Sequence, residues 1–412
     1  MQAEIISIGN ELTSGAIVNT NARWLADQLS QGGLIASTQV TVGDDRVYIE
    51  AAIRTAAKRS DLVVITGGLG PTADDLTREG LAAAMDQPLE FHDDSWRQIE
   101  NYFAQLGRTP GDSNRRQAMC PRTARLIPNS CGTAPGIHAV VHEAAVFVLP
   151  GVPREMRAMF ERDVDPEVSR LTGERAVVMR TLHCFGAGEA NIGEQLSTFM
   201  DPARNPQVGT CAEEGVISIR ICAQGDSRDE AAALADSDAI AIRNLLGPLV
   251  FGEDDDTLAS VVGRLLIDCG ATVSTAESCT GGLLAAALTD VAGSSAYFQG
   301  GFVTYANEAK TQVLDVPAAL IVDKGAVSRE VAVAMAEGCR RVSETDYALG
   351  ITGIAGPGGA TADKPVGLVY IVLASNAEPT VRECRFPSHL SRRAVRDRAC
   401  KTALNMLRKL LL

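Results

Sequence analysis

The stretch Ser274-Thr275-Ala276-Glu277-Ser278-Cys279-Thr280-Gly281-Gly282 begins as a β-strand and ends as a turn, and Leu283 to Val291 after it has the composition of a helix. A strand running through paired glycines into a helix is the building step of an α/β domain. Backbone NH groups at such a helix start point at the loop and favour negative charge, either a phosphate or a developing oxyanion. Ser278 and Cys279 are both candidate nucleophiles in this position. Ser278 is equally a candidate cap, because Ser, Thr and Asp satisfy free amides at helix starts for purely structural reasons.

Working outward, the residues before this stretch form a helix whose apolar positions Leu258, Val261, Val262, Leu265, Leu266 and Cys269 share one face, with Gly270 as its stop. Strands are expected at 272–276, 301–305, 347–352, 367–374 and 381–386, closed by a helix from Ser391. Gly300 to Lys310 reads as a strand followed by a polar helix start. If that strand neighbours the first, Lys310 reaches the Ser278 loop, and a lysine partly removed from water loses proton affinity and can act as a base; standing alone, it is a solvated helix lysine. A third turn, Thr352-Gly353-Ile354-Ala355-Gly356-Pro357-Gly358-Gly359, also follows a strand. Arg392, Arg393 and Arg396 open the last helix, as a phosphate-holding group or as a surface charge cluster.

Toward the N-terminus, strands at 4–8, 34–42 and 62–66 alternate with helices from about Asn21 and Val47, which predicts a parallel sheet covered by helices. Ligands in such sheets sit beyond the carboxyl ends of strands. The loops Gly9 to Gly15, Thr66 to Thr77 and Pro150 to Glu155 therefore share one candidate rim. Asp74 and Asp75, just before a helix, suit either capping or a hard cation. Residues from about 170 to 250 read as a small α+β module, and Gly247-Pro248 with the acidic run Glu253 to Asp256 marks the next boundary. The expected domains are 1–168, 169–252 and 253–412.

A chain of 412 residues exceeds one ordinary core, and its 46% hydrophobic and 22% charged residues match a soluble globular protein. No apolar run approaches the roughly 18 residues of a membrane helix, and Met1 to Ile8 reads as fold rather than export signal, so the expected location is the cytoplasm. The ten cysteines include no CxxC pair and read as core positions of a reducing compartment. A net charge of −13 disfavours a broad polyanion-binding surface while leaving room for a small anionic ligand.

Three blocks, Ala276 to Gly282, Phe302-Val303-Thr304-Tyr305 through Lys310, and Thr352 to Pro357, together resemble the C-terminal domain of the CinA family. The resemblance implies a nicotinamide-nucleotide amidase with Ser278 as nucleophile, Lys310 as its base, Tyr305 as a supporting polar group and Arg392 as a phosphate contact. It further implies substrate contacts at Thr280, Gly281, Gly282, Thr352, Gly353 and Gly356, with no cofactor. The chain departs from the family where Leu390-Ser391 replaces a usual Gly-Asp pair before the arginine.

The N-terminal loops, with Asn114-Arg115-Arg116-Gln117-Ala118, Gly132 to Gly136 and Pro150 to Met156, resemble the molybdopterin-binding MoaB/MogA fold and the N-terminal domain of the same family. Arg180 to Gly186 resembles its KH-like module. The implied fold class is α/β: a MoaB/MogA-like domain, a small α+β KH-like module and an α/β amidase domain. For the N-terminal domain the resemblance implies metal-dependent ADP-ribose pyrophosphatase activity. Glu11, Asp44, Asp74 and Asp75 would lie near the diphosphate and its divalent cation, with Gly67, Gly68, Asn114, Arg115, Arg116, Thr133 and Gly151 as contacts. The expected ligands are nicotinamide mononucleotide and ADP-ribose, the expected assembly a homodimer. Two other readings stand beside this one: a chain in which only the C-terminal domain is catalytic, and a noncatalytic competence or DNA-damage accessory.

Overall fold

The computed structural model describes every residue of the chain except Glu174. Among the described residues seventeen strands can be numbered: β1 Ala3–Ile8, β2 Ala36–Val42, β3 Leu62–Thr66, β4 Leu89–Phe91, β5 Met119–Pro121, β6 Arg125–Ile127, β7 Gly136–Val141 and β8 Ala144–Leu149, then β9 Ala176–Phe185, β10 Gln207–Glu213, β11 Val216–Gly225 and β12 Val250–Glu253, and finally β13 Val273–Glu277, β14 Phe298–Val303, β15 Tyr347–Gly353, β16 Leu368–Ala374 and β17 Thr380–Arg385. Two compact units result, Met1–Met179 with Cys222–Asp236, and Arg180–Ile221 with Ser237–Leu412.

In the first unit the main sheet runs β2-β1-β3-β8-β7-β6. Strands β2, β1, β3 and β8 are parallel, but β7 and β6 are antiparallel, so the all-parallel expectation holds only for the part that follows β-α alternation. The reason is local: only His142 and Glu143 separate β7 from β8, a connection that permits a hairpin and no crossover. Side chains alternate across the sheet. Ile6, Ile8, Val63, Ile65, Val146 and Val148 pack under Ile49, Ile53 and Leu81 on one face. Ile5, Val64, Phe147 and Leu149 meet Leu25, Leu29, Met156 and Phe160 on the other. Each fully buried aliphatic side chain contributes about 2 kcal/mol of transfer free energy, which is why both faces must be covered.

The middle module forms a sheet in the order β10-β11-β9-β12, with Glu253 of β12 opposite Leu182. The C-terminal sheet runs β14-β13-β15-β16-β17. Here too the first three strands are parallel and the last two antiparallel. The helices Leu258–Asp268 and Arg392–Leu411 cover one face, against Leu349, Ile351, Val369 and Ile371. Arg329–Ser343 covers the other, through Val331, Met335 and Cys339. Of the apolar face read from the sequence, Leu258, Val261, Val262 and Leu266 are buried and Leu265 packs at the edge, whereas Cys269 is exposed at the helix end. Thr257 starts that helix by exchanging hydrogen bonds with Ser260, a cap that the acidic run had obscured. None of the ten cysteines is joined in a disulfide, and among the described residues no helix is long and apolar enough to cross a membrane.

Both α/β sheets share one consequence. The first strand of each, β1 or β13, lies between the second and the third, so the chain reverses direction across the sheet there. A crevice opens at the carboxyl ends of the strands flanking such a switch point.

Candidate active site

In the C-terminal sheet that crevice gathers the three expected loops, because Ser278 follows β13, Lys310 follows β14, and Thr352 and Gly353 end β15. Lys310 Nζ lies 3.3 Å from Ser278 Oγ. The ammonium also reaches the backbone oxygens of Thr304, at 2.8 Å, and Tyr305, at 3.2 Å. Lys310 is 1% exposed, and burial pulls its pKa below the ordinary lysine value. None of its three hydrogen-bond partners is a carboxylate, so no ion pair holds the proton on. Cys279, the rival nucleophile, is buried, and burial pushes its thiol up to about 11. A thiol in that range is almost wholly protonated at neutral pH and is inert as a nucleophile.

The helix start is not open to a ligand in the way the sequence suggested. The buried Glu277 carboxylate takes the amides of Gly282 at 3.0 Å, Leu284 at 3.1 Å and Ala285 at 2.8 Å. Ser278 does not cap that helix, since Gly282 holds the cap position and Ser278 Oγ lies against Lys310; its amide donates to the Ile351 carbonyl at 2.9 Å. Glu277 was missed because a carboxylate that closes the helix from the preceding strand leaves no N-cap spacing in the sequence.

Around this pair, Arg392 joins two loops: Nη1 donates to the Gly356 carbonyl at 2.9 Å and Nη2 to the Tyr305 hydroxyl at 3.2 Å. Tyr305 is exposed, so its phenol stands at the site's mouth while its carbonyl serves Lys310. Ser391 accepts from the Ala394 amide at 3.2 Å and so does the capping work an aspartate would do there; His389 and Arg393 are exposed. Thr352 turns its hydroxyl away, to the Ala326 carbonyl at 2.8 Å. Thr280 is fully buried, Gly281 and Gly282 both have positive φ, and Arg396, a fourth turn-side contact, holds the Thr280 carbonyl.

In the first unit a cleft of about 530 Å³ opens at the ends of β1, β3 and β8. Glu11, Asp44, Gly67, Gly68, Asp74, Asp75, Thr133 and Gly151 all line it. Gly67 has φ +107°, and a Cβ there would lie 2.2 Å from the Ile8 carbonyl oxygen, so only glycine fits where β1 and β3 end side by side. Arg78, buried beneath the loop, donates to the Leu69 and Gly70 carbonyls, and burial lowers its pKa to about 10. Asn21 also lines the cleft and ties Gly151 to Thr66, a role no sequence spacing announced.

Asn114, Arg115 and Arg116 are absent from that lining. Asn114 is buried against Gln117 and Gly111, and the Arg115 guanidinium stacks over Phe91 and Trp96. Arg116 is paired with Glu79 at 2.7 Å and with the Thr72 carbonyl. The two aspartates do not cap the following helix: Asp75 folds back on the Thr72 amide and hydroxyl, and Leu76 occupies the cap position. Asp44 accepts from the Asn10 amide at 2.8 Å. Burial first, then the negative charges of Glu11, Asp74 and Asp75, raise its pKa. Among the described residues no three His, Cys, Asp or Glu side chains converge as a ready metal site. The donor chemistry fits a hard cation that brings phosphate oxygens with it rather than one held by protein alone.

Comparison with known proteins places these loops in a family. Residues 255–411 match the CinA C-terminal domain, 4–170 the probable molybdopterin binding domain and 179–252 the damage-inducible protein CinA KH domain. A CinA-like protein of Parasynechococcus marenigrum is 45% identical over 99% of this chain and 98% of its own length. A CinA-like protein of Geobacter sulfurreducens is 43% identical over the whole of both chains. The crystal structure of a competence/damage inducible protein from Agrobacterium tumefaciens, 44% identical, covers 38% of this chain and 96% of its own, with a TM-score of 0.36. With relatives this similar along its full length and all three family models matched in order, the chain belongs to the CinA family.

Proposed function

We propose that the C-terminal site hydrolyses the carboxamide of nicotinamide mononucleotide to nicotinate mononucleotide and ammonia. The observation that supports this is the contact between Ser278 Oγ and a buried, carboxylate-free Lys310 amine at 3.3 Å. A neutral amine has two N–H bonds and one lone pair. With the Thr304 and Tyr305 carbonyls accepting the two hydrogens, the lone pair is left for the serine proton.

In this reading Lys310 takes the Ser278 proton as Oγ bonds to the carboxamide carbon. The tetrahedral intermediate collapses with cleavage of the C–N bond, and the Lys310 ammonium returns its proton to the leaving nitrogen, which departs as ammonia. Water, deprotonated by the same amine, then cleaves the ester and restores Ser278. Arg392, at the mouth beside Tyr305 and Gly356, would meet the substrate phosphate.

Incubation with nicotinamide mononucleotide and measurement of released ammonia tests the assignment. Ser278→Ala is expected to lose at least about 10³-fold in kcat, while Cys279→Ala keeps most of it. Full ammonia release by Ser278→Ala with loss in Cys279→Ala would overturn the nucleophile.

A second activity is supported by the first unit's cleft, where five carboxylates, Glu11, Asp44, Asp74, Asp75 and Glu155, line a site with a glycine loop: metal-dependent cleavage of the ADP-ribose diphosphate. Asp44, Asp74 and Asp75 would face a divalent cation carried in by the diphosphate, whose chemistry would be to neutralise charge on the diphosphate oxygens. AMP release that persists unchanged in excess chelator would remove the metal from this reading. The names of some relatives speak of competence and damage, but a net charge of −13 argues against a nucleic-acid accessory.

A further inference from the structure

We infer that Arg396 is a positioning residue that sets the oxyanion hole of the amidase site, and that the hole consists of the Cys279 and Thr280 amides; the inference rests on Ser278 being the nucleophile. The amides of the nucleophile loop can be accounted for one by one. Ser278 N donates to the Ile351 carbonyl, Gly281 N to the Ser278 carbonyl at 3.2 Å, and Leu283 N to the Thr280 carbonyl at 3.3 Å. The amides of Gly282, Leu284 and Ala285 belong to Glu277. Among the described residues only Cys279 and Thr280 keep amides with no oxygen acceptor in this loop, the Cys279 amide meeting only its own thiol sulfur, and both directly follow the nucleophile. Two adjacent amides beside a nucleophile are the donors that a tetrahedral oxyanion needs.

Free amides stabilise an oxyanion only if the peptide planes are already fixed, since reorienting them during the reaction would cost part of the gain. The Thr280 side chain does not fix them: it has no exposed surface and its hydroxyl has no partner. Arg396 does so through the main chain. Its Nε and Nη2 both donate to the Thr280 carbonyl, at 3.1 and 2.5 Å. The same turn is held at its other end by Gly281 N on Ser278 O, so it is clamped from both sides. A planar fork supplies two directed donors on one carbonyl, which a lysine cannot reproduce. The fork itself is anchored, because Val395 and Ala399 beside it are buried in the core. Arg392, one turn earlier on the same helix, is spent on Gly356 and Tyr305, so the two arginines differ in what they serve, one the substrate side and the other the loop.

The test compares Arg396→Gln and Arg396→Lys with the wild type, using nicotinamide mononucleotide for turnover and a serine-directed fluorophosphonate for the rate of Ser278 labelling by intact-mass measurement. The reagent's phosphoryl oxygen takes up negative charge in the same place without needing the nucleotide. Arg396→Gln should lower both kcat and the labelling rate by about 10²-fold, leave KM within about threefold, and keep Tm near that of the wild type. Arg396→Lys should fall between, and it decides the question if the Gln variant does not fold. A raised KM with unchanged kcat would make Arg396 a substrate contact and overturn the inference, as would unchanged labelling. Wild-type protein that is labelled but leaves the nucleotide intact would sink the substrate assignment alone, the Arg396 comparison still standing on labelling. Protein that does neither would sink both.

Discussion

Lys310 is buried with no carboxylate among its hydrogen-bond partners, and its desolvation outweighs the opposing pull of the Cys279 and Glu308 charges. A buried ammonium loses hydration that three neutral acceptors only partly replace, so the proton leaves more readily than from an ordinary lysine at about 10.4. Amide hydrolysis should therefore rise with pH through the lowered Lys310 pKa and level off before the ordinary lysine range. Lys310→Arg, always protonated, should be inactive across the same profile. The sign for stability follows from proton counting. Between the lowered native value and the ordinary unfolded one, the unfolded chain binds the extra proton, so stability rises with pH in that window and Lys310→Met should flatten the rise. A pH profile centred on the ordinary lysine value would contradict the burial argument. From sequence, Lys310 could be only a candidate, because no spacing reports that residues 32 apart meet; adjacency of β13 and β14 makes the contact.

At the scale of elements, Glu277 ends a strand and begins a helix at once. Its carboxylate satisfies three amides at a buried helix start, so Glu277→Ala would orphan all three, at a cost of about 3 kcal/mol or more. A fall in Tm on the order of 10 °C in scanning calorimetry is expected, with Glu277→Gln losing less because one amide oxygen remains. An unchanged Tm for the alanine variant would mean water replaces the carboxylate without penalty. Elements of this kind separate what could be read from the sequence from what could not. A short continuous apolar run placed β3, and helical spacing placed the core face of Leu258–Asp268, since these patterns report burial directly. Strand direction at the sheet ends was less legible, because it depends on connection geometry. Arg115 shows the same limit: the family resemblance implied a ligand contact for it, yet Phe91 and Trp96, brought from elsewhere in the chain, take its guanidinium.

At the scale of the molecule, two α/β sheets solve the same problem with different chemistry. Each puts its first strand between the second and third, and glycine turns leave those strands in both, lining a cleft in the first unit. One site is acidic, with Asp44 crowded by neighbouring carboxylates; the other has a hydroxyl, a buried lysine and two guanidinium groups. Substitution in one unit should leave the other's chemistry intact: Asp44→Asn should reduce AMP release from ADP-ribose while ammonia release from nicotinamide mononucleotide stays within about twofold. Loss of both activities in that variant would tie the two sites together in a way the separate crevices do not require.

The central claim is that Ser278 Oγ becomes covalently joined to the substrate's acyl carbon. The most direct measurement is acid quenching of the reaction with nicotinamide mononucleotide in the millisecond range, followed by peptide mass spectrometry. The account predicts a transient adduct with the mass of nicotinate mononucleotide less one water, mapped to Ser278 and missing from Ser278→Ala. Ammonia release at full rate with Ser278 unmodified at every quench time, and undiminished in Ser278→Ala, would contradict it.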